Sequence, residues 1–388
     1  MEKYVDFHSH SKYSDGKLTV SQLISKAIEN NVNYFSITDH DSIQSTNDIK
    51  EYKVNKQINL INGIELSTYI NFNNREVLLH LLCYDFDNTS EKLQNEIKRY
   101  KHILLINNQQ FIKKITTSIK VIPECIFRDY DYYSYKLPTT QIYEILSANC
   151  YDKEFIETFI NRIKVYIPTY EEYELNIKTA IELINDIGGI SILAHPNQIK
   201  MDESEKDKMI IDLKRLGLMG IETYHSSFIK SDFERYRLLA LKNNLLQSVG
   251  SDYHYDTICD NIIIGHGINN NLCQTNCSLK EYILKRRKKM IEDYLKKFCE
   301  NGKVNIIDIG CSGDSVREVI KEDGTYYIKQ STFGKLDKEY FINNYLKDRL
   351  SVPEVIYFGS GQGKSVMITK NLKVIWFVAM KYLMIWNK

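Results

Sequence analysis

Short apolar runs alternate with stretches of helical period over most of the first 275 residues, and the runs tend to end in a polar cluster. Val20, Leu23, Ile24, Ala27 and Ile28 recur at helical spacing behind Thr19, which is placed to cap them. Tyr34 to Thr38, Asn59 to Ser67 and Val77 to Tyr84 read as buried strands. Ile177, Ala180, Ile181 and Ile184 mark a helix stopped by Gly188-Gly189, and the strands Ile190 to Ala194, Met219 to Tyr224 and Leu246 to Gly250 follow. Strands alternating with helices, each strand delivering polar side chains at its C-terminal end, predict an α/β fold of the βα-barrel kind.

Two regions break this rhythm. From Glu91 to about Glu172 the chain is helical and tyrosine-rich, punctuated by Pro123, Pro138 and Pro168, and it reads as an inserted helical subdomain without a metal-type cluster. Near Met290 the character shifts again, towards short strands and glycine turns. The formal charge of +1 over 388 residues gives no basic field of the kind that marks a nucleic-acid scaffold, so no stable DNA complex is expected. Eight cysteines without a C-x-x-C pair read as reduced thiols. A polar N-terminus, and an apolar tail from Val374 to Trp386 interrupted by Lys381, predict a cytoplasmic protein without a membrane span.

The polar clusters carry the chemistry. His8 and His10, at i and i+2, point to one face of a strand, with Asp15 just beyond. His40, Glu65, His80, His195, Asp252 and His254 sit in or at the ends of later strands. Counting His225, seven of the nine histidines have such a setting, and only His102 and His266 read as ordinary surface or satisfied residues. Nine candidate ligands exceed what one tetrahedral ion needs, so two or three divalent metals are expected. Imidazole and carboxylate without thiolate suit Mn, Zn or Fe alike.

His8-Ser-His10, Ser-Asp15-Gly16, Thr-Asp39-His40-Asp41, Gly-Ile-Glu65, Leu-Ala-His195-Pro196 and Gly-Ser-Asp252-Tyr-His254 resemble, in order, the motifs of the PHP (polymerase and histidinol phosphatase) superfamily, and most closely its TrpH/YciV-like branch of small phosphoesterases. The resemblance covers roughly residues 3 to 275. It implies a distorted (βα)7 barrel with a trinuclear site. By that analogy His8, His10 and Asp252 hold one metal, with Glu65 bridging to another. Asp15, His40 and His254 hold a second, and His80, His195 and Glu65 a third. His225 matches a phosphate-contacting histidine, with a supporting role for a ligand as the alternative. Asp39 and Asp41 flank His40 and are candidates for orienting it or shuttling a proton, or for purely structural work. Clustered cations lower the pKa of a bridging water and neutralise phosphate oxygens, so hydrolysis needs no serine or cysteine nucleophile.

The branch implies substrates such as nucleoside 3′,5′-bisphosphates or the 5′ ends of short RNA. One departure bears on that choice. The stretch Leu137 to Ile142 lacks the arginine that contacts substrate phosphate in the branch, and Lys136 is the nearest substitute. The run Lys285 to Lys289 reads as a solvated helix end. A histidinol-phosphatase-like monoesterase and a non-catalytic metal-bound scaffold are the alternatives.

The C-terminal piece, over about residues 302 to 373, resembles the N-terminal lobe of aminoglycoside phosphotransferases. A glycine turn at Gly310 to Gly313 lies between strands, Lys329 matches the nucleotide-phosphate lysine, and Glu339 matches its helix partner. The expectation is a small α+β, kinase-like lobe that is vestigial, because no His-Gly-Asp-type catalytic loop follows in this sequence. Back-translation of the tail from Lys373 with one base restored reads like a continuing kinase, which raises a frameshifted, fused reading frame as its origin.

Overall fold

A computed structural model describes residues 2–52, 58–118, 122–129, 138–167, 174–255, 261–307, 315–332, 336, 339–340, 343–344, 353–361 and 364–370. The chain divides into two compact units, one built from residues 1–50 and 58–279 and the other chiefly from Lys280 onward. Lys136, the Gly310 to Gly313 turn and the tail from Lys373 lie outside the described residues.

The first unit is organised on a mixed sheet. Its strands are β1 (Tyr4–Asp6), β2 (Val32–Ile37), β3 (Asn59–Phe72), β4 (Arg75–Tyr84), β5 (Leu175–Asn176), β6 (Ile190–Leu193), β7 (Gly220–His225) and β8 (Leu246–Gly250). The order is β1-β2-β3-β4-β6-β7-β8, with the short β5 beside β3. Pairing is parallel from β1 to β3 and again from β6 to β8. β4 alone runs against both of its neighbours in that order. It returns from β3 through a tight turn at Asn73 and Asn74, both with positive φ. The uniform strand direction expected from the sequence is therefore interrupted at β4, and His80 enters the site from the middle of that strand rather than from its end.

The two ends of the strand order are joined. The Phe7 N–H donates to the Val249 carbonyl at 2.8 Å and the Asp252 N–H to the His8 carbonyl at 2.9 Å, while Ser9 bridges Tyr253 in parallel. The helices against this sheet form where the apolar periodicity places them. Val20–Glu29 starts at a reciprocal cap, in which Thr19 Oγ1 accepts from the Gln22 N–H and Gln22 Oε1 accepts from the Thr19 N–H. It buries Val20, Leu23, Ile24 and Ala27. Ile177–Asp186 buries Ile177, Ala180, Ile181 and Ile184. It closes with Gly188 in the left-handed region and the Gly189 N–H on the Ile184 carbonyl at 2.8 Å.

The helices Glu91–Ser118, Pro138–Ala148 and Lys153–Ile163 share a small core of their own, in which Phe111, Ile112, Phe127, Ile142, Leu146 and Phe159 meet. In the second unit the strands β9 (Lys303–Ile307), β10 (Ser315–Lys321), β11 (Gly324–Thr332), β12 (Glu354–Gly361) and β13 (Lys364–Lys370) form an antiparallel sheet ordered β12-β13-β11-β10-β9. Ile291 and Leu295, from the helix Ser278–Cys299, pack on its Val319, Tyr326, Ile328, Val366 and Ile368. That helix is continuous across residue 289. The described cysteines are all free, and no described helix is long and apolar enough to cross a membrane.

Candidate metal centre

Imidazoles and carboxylates from nearly every strand of the first unit meet at one place. His8 Nε2, His10 Nε2, Glu65 Oε2 and Asp252 Oδ1 lie at 3.1–3.3 Å from one another across five measured pairs. The other oxygen of Glu65 lies 3.1 Å from both His80 Nδ1 and His195 Nε2. Asp15 sits between His10, His40 and His254, at 3.6, 3.9 and 3.3 Å. Each of the nine sequence-derived ligands is thus in this cluster. The geometric sets share residues: His8, His10, His40 and Glu65 each belong to two of the four.

The local backbone is built for this convergence. Asp41, His195 and Asp252, each next to or among the cluster, have positive φ, a conformation non-glycine residues hold only when the surroundings fix it. Asp41 is fixed by its N–H on the Glu65 carbonyl at 2.9 Å. Gly16 lies so close to the His10 backbone that a Cβ there would be 2.2 Å from the His10 carbonyl oxygen, so the turn carrying Asp15 requires glycine. On β7 a bulge between Glu222 and Tyr224 puts Glu222 and His225, three residues apart, on the same inner side.

Hydrogen bonds to the outer ring nitrogens decide which atom faces inward. His8 Nδ1 lies 3.1 Å from Glu222 Oε1, and His254 Nδ1 lies 2.9 Å from the Asp252 carbonyl. Both partners only accept, so a neutral ring with its proton on Nδ1 would satisfy them and leave the Nε2 lone pair for a cation, whereas in the metal-free cluster Nε2 of His8 and of His254 faces Glu65 and Asp15 at 3.1 and 3.3 Å. His225 is set the other way. Its Nδ1 accepts from the Ser227 N–H at 3.2 Å, which leaves the proton on Nε2, 3.4 Å from Asp252 Oδ2.

Such a gathering of lone pairs and carboxylate oxygens repels itself unless cations lie among them. Without metal, protons take that part. Burial disfavours charge on His8, yet Glu65, Asp252 and Glu222 outweigh it and hold its pKa well above the usual imidazole value. His10, also buried, is pushed up to about 10 by Asp252, Glu65 and Asp15. Against the same desolvation, Glu65 is held well below the usual carboxylate range by His8, His40 and His80, and Asp252 by His8, His10 and His225. Burial takes His40 down to about 3 in spite of Glu65, with His10 adding to the effect, and burial likewise lowers His195. His40 Nδ1 and His80 Nδ1 are buried without a hydrogen bond, although Glu65 is 3.4 and 3.1 Å away. Buried lone pairs of this kind, among carboxylates and without thiolate, fit hard or borderline divalent cations.

Asp39 and Asp41 are held by serine hydroxyls and backbone N–H groups. Asp39 accepts from the Ser11 N–H at 2.6 Å, the Ser11 hydroxyl at 2.8 Å and the Ser14 hydroxyl at 3.1 Å, which ties down the loop leading to Asp15. Asp41 accepts from the N–H and hydroxyl of Ser67 at 3.0 and 2.7 Å, and burial raises its pKa to about 7. His266 is satisfied by the Asn30 carbonyl and Asn270, and His102 is exposed, as expected of residues outside the cluster. Two further buried acids support the cluster: Glu222, which the sequence carries in the stretch Gly-Ile-Glu222-Thr-Tyr-His225 without a role of its own, and Asp6, whose carboxylate accepts from the N–H groups of His8, Ser251 and Gly265 at 3.2, 2.9 and 2.7 Å.

The PHP domain matches residues 6–207, more than half of the chain. The chain belongs to the PHP domain family. Among its relatives, a 5′-3′ exoribonuclease of Haemophilus influenzae is 28% identical over 260 residues, covering 66% of this chain and 91% of the relative. A 3′,5′-nucleoside bisphosphate phosphatase of Chromobacterium violaceum is 23% identical over 260 residues, covering 64% and 87%. A solved structure described as an amidohydrolase from Chromobacterium violaceum with bound sulfate superposes with a TM-score of 0.55 at 21% identity. It covers 68% of this chain and 90% of that one, a likeness of fold. The PHP match begins at Asp6, just before the His8/His10 pair, and takes in six of the nine clustered residues before His195, together with His195 itself as the seventh.

Proposed function

We propose that this PHP protein is a metal-dependent phosphoesterase acting on nucleoside 3′,5′-bisphosphates or the 5′ ends of short RNA. The observation that carries the reading is the convergence of His8, His10, Glu65 and Asp252, whose histidine nitrogens lie 3.1–3.3 Å from one another and from both carboxylates, flanked by Asp15, His40, His80, His195 and His254. Two or three divalent ions, Mn, Zn or Fe, would be held by those nine side chains. Bound there, they would acidify water and neutralise phosphate oxygens. Glu65, with its two oxygens facing different imidazoles, would be the residue shared between ions. His225 presents an N–H towards the same space and is placed to donate to a substrate oxygen. Asp39 and Asp41 position the loops of Asp15 and His40 through serine contacts and are not assigned a proton-transfer role. The names of the relatives, an exoribonuclease and a bisphosphate phosphatase, support the nucleotide class.

The joined ends of the sheet at Phe7–Val249 support a distorted (βα)7 barrel for residues 1–289, with 91–172 as its helical insertion. For residues 290–388 we propose a kinase N-lobe-like piece without phosphotransfer activity. The Lys329–Glu339 pair at 2.7 Å, with the lysine on the third strand of its sheet, supports that resemblance. The protein is proposed to act in the cytoplasm.

The test is a comparison of phosphate release by the full chain, loaded with Mn²⁺, from adenosine 3′,5′-bisphosphate, a short 5′-phosphorylated RNA and histidinol phosphate. Preference for either nucleotide substrate supports the reading. Turnover of histidinol phosphate alone would move it to a monoesterase, and bound metal with no turnover of any phosphoester would leave a scaffold.

A further inference from the structure

Glu222 is a buried acid beside the cluster that the assignment above does not use as a ligand. It is fully buried on β7, and its two oxygens do different things. Oε1 accepts from His8 Nδ1 at 3.1 Å, while Oε2 accepts from the backbone N–H of His195 at 2.7 Å. His195 has a φ of +24°, and its Nε2 lies 3.1 Å from Glu65. The neighbouring strand makes room for this arrangement. A Cβ at Gly250 would sit 2.5 Å from Glu222 Oε1 and 2.2 Å from His8 Cβ.

We infer that Glu222 is a positioning residue for the metal centre: one carboxylate both fixes the proton of His8 on Nδ1 and holds the strained turn that aims His195. The inference rests on the reading of the cluster as a metal centre. Its physical basis is that a neutral imidazole can ligate only through the nitrogen without the proton, and the partner of the other nitrogen decides which that is. A carboxylate suits the task because it offers two acceptors at once. A glutamine offers one acceptor and one donor, so it satisfies either the His8 N–H or the His195 N–H and faces the other with its NH₂ group. Where that NH₂ faces His8, the ring is driven to the opposite tautomer and its inward nitrogen is blocked.

The test uses the full chain. Nitrogen-15 NMR of histidine-labelled, Zn²⁺-loaded protein, with the His8 signal assigned by comparison with His8→Gln, reads the protonated nitrogen directly. Zn²⁺ competition titrations of the wild type and Glu222→Gln read the consequence. The expected results are a proton on Nδ1 of His8, and a dissociation constant for at least one ion about 10- to 100-fold higher in the variant. Folding of the metal-free variant, followed by circular dichroism, should stay close to that of the wild type. A proton on Nε2 of His8, a Glu222 carboxylate bound directly to zinc, or unchanged zinc affinity in the variant would overturn the inference. Should Glu222→Gln not fold, the wild-type spectrum decides alone. Neither readout depends on turnover, so absence of phosphoesterase activity would count against the proposed function and leave this inference standing.

Discussion

The backbone N–H of Ser227 points at Nδ1 of His225 from 3.2 Å, and this contact makes the imidazole a donor towards the metal cluster. The ring is almost completely buried, and Nε2 has no well-aligned hydrogen bond, with Asp252 Oδ2 3.4 Å away. In the role proposed for it, a ring so arranged would donate to an incoming phosphate oxygen rather than ligate. His225→Ala should therefore lower kcat by roughly 100-fold or more, the size seen when one transition-state donor is lost. Metal content by mass spectrometry should be unchanged. Loss of one metal equivalent from the variant would instead make His225 a ligand.

Asp6 is predicted to carry a structural share out of proportion to its short strand. Its carboxylate gathers the N–H groups of His8, Ser251 and Gly265, which come from three separate segments. Asp6→Ala leaves three buried donors unpaired, at about 1–3 kcal/mol each. The expected outcome is a Tm lower by at least roughly 6 °C, accompanied by weaker metal binding because His8 and Asp252 lose their common anchor. An unchanged melting curve would show that water or relaxation satisfies those groups.

Gly250→Ala tests the close approach of β8 to the site. The added methyl meets His8 Cβ and Glu222 Oε1, both held by packing, so the strand has to move. Overpacking of this kind costs about 1–3 kcal/mol. Metal affinity should fall with it, whereas wild-type affinity in Gly250→Ala would mean that the backbone shifts without disturbing His8.

The metal-free protein should have a distinctive dependence on pH. His8 is held well above the ordinary imidazole value and His10 at about 10. A histidine raised on folding contributes stability that is fully present below its unfolded pKa, near 6.5, and is lost as pH rises through the folded value. Glu65 and Asp252, lowered on folding, are ionised throughout that window and add no slope of their own. The Tm of chelator-stripped protein should thus fall between about pH 6.5 and pH 10. Metal-loaded protein, with neutral ligating imidazoles, should fall less. Parallel curves for the two forms would contradict the account of the cluster.

Most of the nine clustered side chains are legible because they follow an apolar run or lie inside one, where a polar residue needs a reason; Asp15, in a polar loop, is the exception. His8 and His10 at i and i+2 also state their common direction locally. What the sequence hides is pairing at long range. The roles of Asp6 and Glu222 are not written locally, even though Glu222 stands in a family-like stretch, since they depend on partners 245 and 214 residues away in Ser251 and His8. The reversed direction of β4 was hidden as well, because Phe72 to Arg75 spans a turn that periodicity alone reads as a break between strands. Asp39 and Asp41 flank a ligand in sequence, but in the loop beyond β2, where Asp41 takes a positive φ, their carboxylates turn to Ser11, Ser14 and Ser67 instead.

The central claim is that metal held by these strand ends hydrolyses phosphoesters. It is tested most directly by phosphate release from adenosine 3′,5′-bisphosphate, using full-length protein stripped with chelator and then given back Mn²⁺, beside His8→Ala treated in the same way. The account predicts no release from the stripped protein, recovery on adding Mn²⁺, and no recovery in His8→Ala. Release that persists after stripping, or that is equal in His8→Ala, would contradict it.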